Sequence, residues 1–329
     1  MPAPSIDLFA LQIGKQTRFD TGVVPTKLLQ GVRDFTATPI RNSEVYRYVD
    51  GTLQPSADGE LTLLGGEASL QMAGSFQMLP YLLNALFSAA EPTGEDPYTY
   101  TYNPPIDEAP TPDPLSIVYA DANNQYRFIG ALVNSITFSV GGPGEPLEVS
   151  ADMIGYGYDS QSKVALTAID IDLIMGHMFD LYIDPLGTYG ATRIQTDHLG
   201  FELELTANRA AWYSLKGLDP ADWRDTKWEA SLTLTLALGS EGRVYMDAVR
   251  DLTSSSDPIQ KSIRLVAAPS ANREFRIDFA GQVESAPEPV QDADGVASYE
   301  LTFIPVKDTV GLANWAQLTV TNQVSDIWA

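Results

Sequence analysis

Polar and apolar residues alternate with a period of two along most of this chain. The segments GELTLLG, EASLQMAG, NSITFSV, LEVSADMI, FELELTA, EASLTLTLAL, IRLVAA, FRIDFAG and YELTFIP all have this form, which suits strands buried on one face. In FELELTA, Phe201, Leu203 and Leu205 point one way while Glu202 and Glu204 point the other. In EASLTLTLAL, Leu232, Leu234, Leu236 and Leu238 oppose Ser231, Thr233 and Thr235. Two segments follow helical spacing instead. One covers residues 76–90, with Leu79, Leu82, Leu83 and Leu86 on a stripe and Pro80 tolerable only in its first turn. The other is EGRVYMDAVRDLTS, with Val244, Met246, Val249 and Leu252 on one side and Ser240 as an N-cap candidate. Turn-rich pieces separate these elements at 104–114, 141–146 and 286–295.

The order of elements occurs twice. Glu67-Ala68-Ser69-Leu70 reappears as Glu229-Ala230-Ser231-Leu232, and each copy opens a strand that runs into one of the two helices. After each helix comes a hairpin, LSIVYADANNQYRFIGALVNS in one half and IRLVAAPSANREFRIDFAGQVES in the other. Ile117-Val118 aligns with Leu265-Val266, Tyr126-Arg127-Phe128 with Phe275-Arg276-Ile277, and Val133-Asn134-Ser135 with Val283-Glu284-Ser285. Each turn contains an Asn, Asn124 or Asn272. Both halves therefore read strand, helix, hairpin, loop, strand, as a tandem duplication would. A Pro-rich insertion at about 91–114 lengthens the first copy.

Composition narrows the possibilities. With 329 residues, 44% hydrophobic and 10% aromatic, the chain can bury a substantial core. It has no cysteine, which excludes disulfides, thiol catalysis and thiolate zinc sites. The net charge is -23, the wrong sign for gripping nucleic acid through its phosphates. That charge is uneven. Residues 1–47 carry six bases and four acids, residues 48–162 one base and 15 acids, and the remainder 13 bases and 24 acids. A mildly basic arm thus precedes an acidic body, and the arm could dock on an acidic neighbour. No signal peptide and no membrane-spanning run is expected, so the protein is expected to be made and assembled in a cytoplasm.

Candidate chemistry is sparse. His177 and His198 are the two histidines, and their spacing fits neither a triad nor a metal pair. His177 falls in an apolar, strand-like run and His198 at a strand start. Asp292-x-Asp294-Gly295 lacks the further ligands of a calcium loop and reads as a solvated turn. Asp170-x-Asp172 alternates on an expected strand and reads as solvated too. Trp212, Tyr213, Trp223 and Trp228 cluster either as local core or as a sugar-binding platform. No enzyme, cofactor or metal is expected.

The segment 60–158 carries a family resemblance. The strand GGEASLQM leads into a helix with Leu79-Pro80-Tyr81-Leu82-Leu83, then an acidic, Pro-rich insertion with Tyr98, Tyr100 and Tyr102. The hairpin with RFIGALVNSITF and the strand VSADMIG follow. This arrangement resembles the tail tube protein of long-tailed bacteriophages with non-contractile tails, in its duplicated form. FDLYIDPLGTYGATRIQTDHLGFELEL resembles the hairpin that opens the second domain of that form. The resemblance implies a mainly β fold with two tandem β-sandwich or barrel domains, each with one short helix. The expected division is an arm over 1–40, a first domain over 41–160 and a second over 161–329. It further implies trimeric, pseudo-hexameric rings stacked into a hollow virion tail. The expected partners are other copies of the chain, the tape measure, tail tip and tail terminator proteins, and DNA in transit. Polar strand faces supply candidates for the lumen: Glu67, Ser69, Gln71, Glu148, Ser150, Asp152, Glu229, Ser231, Thr233, Glu300 and Thr302. A negative lumen would repel DNA phosphates and let the genome slide. The alternative reading is a carbohydrate-binding or adhesin-like β-protein.

Overall fold

The computed structural model describes residues 10–48, 56–120, 125–250, 259–285, 291–293 and 295–328. The first half contains β1 (Ala10–Lys15), β2 (Lys27–Leu28), β3 (Val32–Tyr48), β4 (Ser56–Ala73), α1 (Leu79–Leu86), β5 (Tyr98–Tyr102), β6 (Leu115–Ala120), β7 (Gln125–Val140), β8 (Glu148–Gly155) and β9 (Gly157–Asp159). The second half contains β10 (Phe179–Pro185), β11 (Arg193–Ile194), β12 (His198–Thr206), β13 (Ala210–Tyr213), β14 (Pro220–Arg224), β15 (Glu229–Ala237) and α2 (Gly242–Arg250). It ends with β16 (Gln260–Ser270), β17 (Arg273–Val283), β18 (Gln291–Ala293), β19 (Val296–Pro305) and β20 (Ala316–Asn322). The fold is mainly β, and the pairings are antiparallel.

One pairing scheme occurs in both halves. In the first, β1 pairs with β2 and β6, β3 with β4, β4 with β8, β8 with β7, and β7 with β6. In the second, β10 pairs with β11 and β16, β12 with β15, β15 with β19, β19 with β17, and β17 with β16. The long strands β7 and β17 each begin in an outer sheet and end in an inner one. Gly130 lies where β7 makes that passage, with φ +70. A Cβ there would collide with the Phe19 carbonyl oxygen, so glycine serves both the bend and the close approach. Leucine stripes fill the space between the sheets. Leu203, Leu205, Leu232, Leu234, Leu236, Leu301 and Phe303 are buried, as the alternation requires.

Helix α2 buries Met246 but exposes Val244, whereas α1 is buried along its whole length. It is shorter than the apolar pattern suggested, because Phe87 turns to extended backbone and donates its N–H to the Leu83 carbonyl. The start of α2 is capped from a distance. Asp197 Oδ2 accepts the N–H groups of Glu241 and Gly242, a role the sequence pattern had given to Ser240.

The halves are joined in three ways. Strand β12 pairs with β7, from Phe201 opposite Val140 to Thr206 opposite Ser135. Strand β20 pairs with β5, and Tyr81 and Tyr100 donate their hydroxyls to the carbonyls of Ile327 and Val324. The extended segment 160–172 is held to the first half by three glutamines. Gln12 bonds both backbone groups of Val164, Gln30 both of Ile169, and Gln77 the N–H and carboxylate of Asp172.

Several local expectations change. Residues 10–40 are not a separate arm: they form β1, β2 and the start of β3, with β1 hydrogen-bonded to β6. Residues 1–9 lie outside the described part. GELTLLG and EASLQMAG belong to one strand, β4. Asp170 and Asp172 lie on the extended connector rather than a strand, and Asp172 ion-pairs with Arg273. His177 lies in a 3₁₀ turn, Gly176–Met178, with Nδ1 3.1 Å from the Pro143 carbonyl.

Candidate functional site: a polar sheet face

The inner sheets of the two halves form one continuous surface in the order β3, β4, β8, β7, β12, β15, β19, β17. One side packs against the core. Period-two alternation turns every polar partner to the other side. All eleven residues singled out in the sequence lie on that side, because the register aligns them across strands.

The register arranges this side in rows. Thr36, Ser69, Asp152, Ser135, Thr206 and Glu229 face one another in succession. The next row runs Asp34, Gln71, Ser150, Thr137, Glu204 and Ser231. A third runs Glu148, Ser139, Glu202, Thr233 and Thr302, and Thr235 faces Glu300 beyond it. Short hydroxyl groups and carboxylates therefore mix throughout. Ser135 donates to Asp152 at 3.1 Å, and Thr233 and Thr302 share a hydrogen bond of the same length. Arg33 ion-pairs with Glu148 at one margin.

The middle of this face lies outside the eleven sequence candidates. Ser135, Thr137 and Ser139 on β7, and Glu202, Glu204 and Thr206 on β12, complete the rows. Their alternation was legible, and Glu202 and Glu204 were read as an outward pair. What was missing was the β7–β12 pairing, which only tertiary structure supplies.

Of the aromatic cluster, Trp212 is exposed, while Trp223 and Trp228 pack. Trp228 stacks on Phe87 with ring centroids 5.3 Å apart, and Trp223 lies under the Arg209 guanidinium at 4.6 Å. Among the described residues no group of histidines and carboxylates has the geometry of a metal site. Burial pushes the His198 imidazole down to about 4, and its Nε2 has no hydrogen-bond partner among the described residues. The hollows on the polar face are shallow and open, lined by residues such as Thr38, Glu67 and Asn134 in one half and Thr206, Glu229 and Glu284 in the other.

Residues 10–305 match the family described as phage tail tube protein. The chain belongs to this family. No curated protein matches it. The match spans both halves, and the extended polar face lies within the matched residues. As a tail tube protein the chain is a structural component of the bacteriophage virion tail, and it self-assembles into a tube. No described helix of this tube protein is long and apolar enough to cross a membrane.

Proposed function

We propose that three copies of the chain close into a pseudo-hexameric ring, that rings stack into the tail tube, and that the polar sheet face lines a conduit for DNA ejection. The carrying observation is the β7–β12 junction. There the last inner strand of the first half pairs with the first inner strand of the second. By the repeated pairing scheme, β3 corresponds to β12, and β17 with β18 corresponds to β7. Among the described residues, β3 pairs only with β4 and β18 only with β19. The same junction can therefore be made again, between β3 of one copy and the far edge of the next. Such a contact is heterologous, and it closes when the rotation completes a ring. It also pairs two sheet edges that would otherwise stay open. On this reading the chain is two tandem domains, with a boundary near residue 160.

Simple geometry supports a passage of useful width. Eight inner strands from each of three copies give roughly 24 strands, hence a circumference of about 115 Å and a backbone diameter of about 37 Å at ~4.8 Å per strand. After side chains are subtracted, a DNA duplex passes. The carboxylates of the polar rows then face the phosphates at distances comparable with the screening length of roughly 8–10 Å. Like charge keeps the duplex off the wall, and the hydroxyls supply hydration without a strong cationic grip. The distal parts of β3 and β4 extend beyond the sheet and reach toward the adjacent ring. Tape measure, tail tip and tail terminator proteins meet the tube at its lumen and ends, and assembly takes place in the host cytoplasm.

Electron microscopy of the purified protein, at rising concentration and with tail tip complexes as nuclei, tests this reading. Hollow stacked rings with threefold symmetry are expected. A monomer that persists under every condition overturns it.

A further inference from the structure

Arg209 is the centre of the junction between the two halves. Its side chain is fully buried, and it pairs with Asp225 at 2.6 Å. It also donates to the carbonyls of Ala85, Leu86 and Val133 at 3.0, 2.9 and 2.8 Å. Its own backbone N–H is accepted by Asn134 Oδ1. One arginine from the second half thus ties down the end of α1 and the bend of β7 in the first.

The repeated scheme gives Arg209 a counterpart. Thr206 faces Glu229 just as Thr38 faces Glu67, at the first residue of each EASL segment. Three residues further on lie Arg209 and Arg41. Arg41 shares its strand face with Phe35 and Ala37, which touch the core, yet Arg41 is exposed. The receiving side has a counterpart as well. Val133 faces Met153 as Val283 faces Phe303, which aligns Asn134 with Glu284. Both line the equivalent hollow of their half, beside Glu67 and Ala68 or Glu229 and Ala230. Glu284 is exposed, beyond the point where β16 leaves β17 at Gln260 opposite Gln282.

The two junctions differ in one revealing respect. Asp225, the counterion of Arg209, lies four residues before Glu229. Four residues before Glu67 is Leu63, so the first half has no acid at that place. The acid instead stands on the opposite edge, where Glu284 replaces Asn134. No ion pair joins Arg41 or Glu284 to another described residue. We propose that Arg41 of one copy pairs with Glu284 of a second copy and locks the ring closure. Within the chain the lock is made in cis by Arg209 and Asp225. Between copies it is made in trans, so an isolated chain leaves Arg41 solvated and its first-half edge unlocked. The pair also specifies head-to-tail order, since two identical edges would bring like charges together.

The inference rests on the ring reading, and the experiment separates the two. Both residues are exposed in the single chain, so R41E and E284R should retain its circular dichroism and melting temperature. The concentration needed for ring and tube growth should rise about tenfold in each single variant. It should return to within about threefold of the unmodified value in the R41E/E284R protein. Tubes that grow equally well from either single variant overturn the pair while leaving the tube intact. So does a double variant that is no better than the singles. Because the chain has no cysteine, R41C/E284C treated with a short bismaleimide gives a second measurement. Covalent dimers and trimers are expected, and a purely monomeric product overturns the contact. A parent protein that forms no ring under any condition sinks the ring reading, and the pair with it.

Discussion

Asp197 and Glu241 cap each other's segments. Asp197 Oδ2 accepts the N–H groups of Glu241 and Gly242 at 2.8 Å each, at the entry to α2. Glu241 Oε2 in return accepts those of Gln195 and Thr196, just before β12. Four backbone donors are satisfied by two carboxylates that are 44 positions apart in the chain. Asp197→Ala should therefore cost about 2 kcal/mol, from a lost cap and buried donors left without acceptors. Asp197→Asn keeps one acceptor oxygen and should lose about half as much. Denaturant unfolding of the unassembled protein measures both, and equal losses would show that acceptor geometry is not the cause.

The Arg209–Asp225 pair is buried on both sides, so removing one partner leaves an uncompensated charge. Arg209→Ala should lower stability by roughly 3–5 kcal/mol. Combining Arg209→Met with Asp225→Leu should recover part of that, because neither charge then remains in the interior. The carbonyls of Ala85, Leu86 and Val133 still lack their donor, so recovery is incomplete. Thermal melts of the three proteins decide the point. A double variant as unstable as Arg209→Ala would show that the carbonyl contacts dominate.

His198 gives a pH dependence of known sign. Burial holds its pKa down at about 4, against 6.5 in the unfolded chain. Above pH 6.5 the imidazole is neutral in both states and the fold is not penalised. As pH falls from 6.5 towards 4 the unfolded chain takes up a proton that the folded chain refuses, and stability declines by up to about 3 kcal/mol. Below 4 this contribution is flat. His198→Phe should remove that portion of the acid profile. The difference between the two proteins' unfolding free energies across pH 4–7 isolates it from the many carboxylates, and a constant difference would refute the assignment.

Charge reversal on the polar rows probes the conduit. Lysine at Glu202, Glu204 and Glu300 should leave tubes intact, because these exposed side chains lie on the side away from the core. DNA release from assembled virions should slow, most strongly at low salt where screening is weakest. Ejection followed by dye release at two ionic strengths gives the readout. Normal release from reversed tubes would end the lining proposal.

The amino-acid pattern alone determined the inner strands other than β3, both helices and the repeat of EASL, hairpin and closing strand, because periodicity and local turn chemistry act over a few residues, but it marked no strand at β1, β3, β5 or β20. It also determined which polar side chains share a face within one strand, since alternation is a property of the backbone. Tertiary structure decided what those faces become. The pairing of Ser135 with Thr206 merges two half-sheets into one surface, and no local signal in either strand announces its partner. The same limit misassigned the cap of α2, where Ser240 was the nearest hydroxyl but Asp197 arrives through the fold. It misassigned residues 10–40 as an arm, because β1 is short and its hydrogen bonds go to β6, about 100 residues later. Residue spacing encodes contacts that close within a turn or a hairpin. Contacts between distant segments depend on how complete elements pack, which explains why no local pattern sets Arg209 apart although it ties the end of α1 to β7.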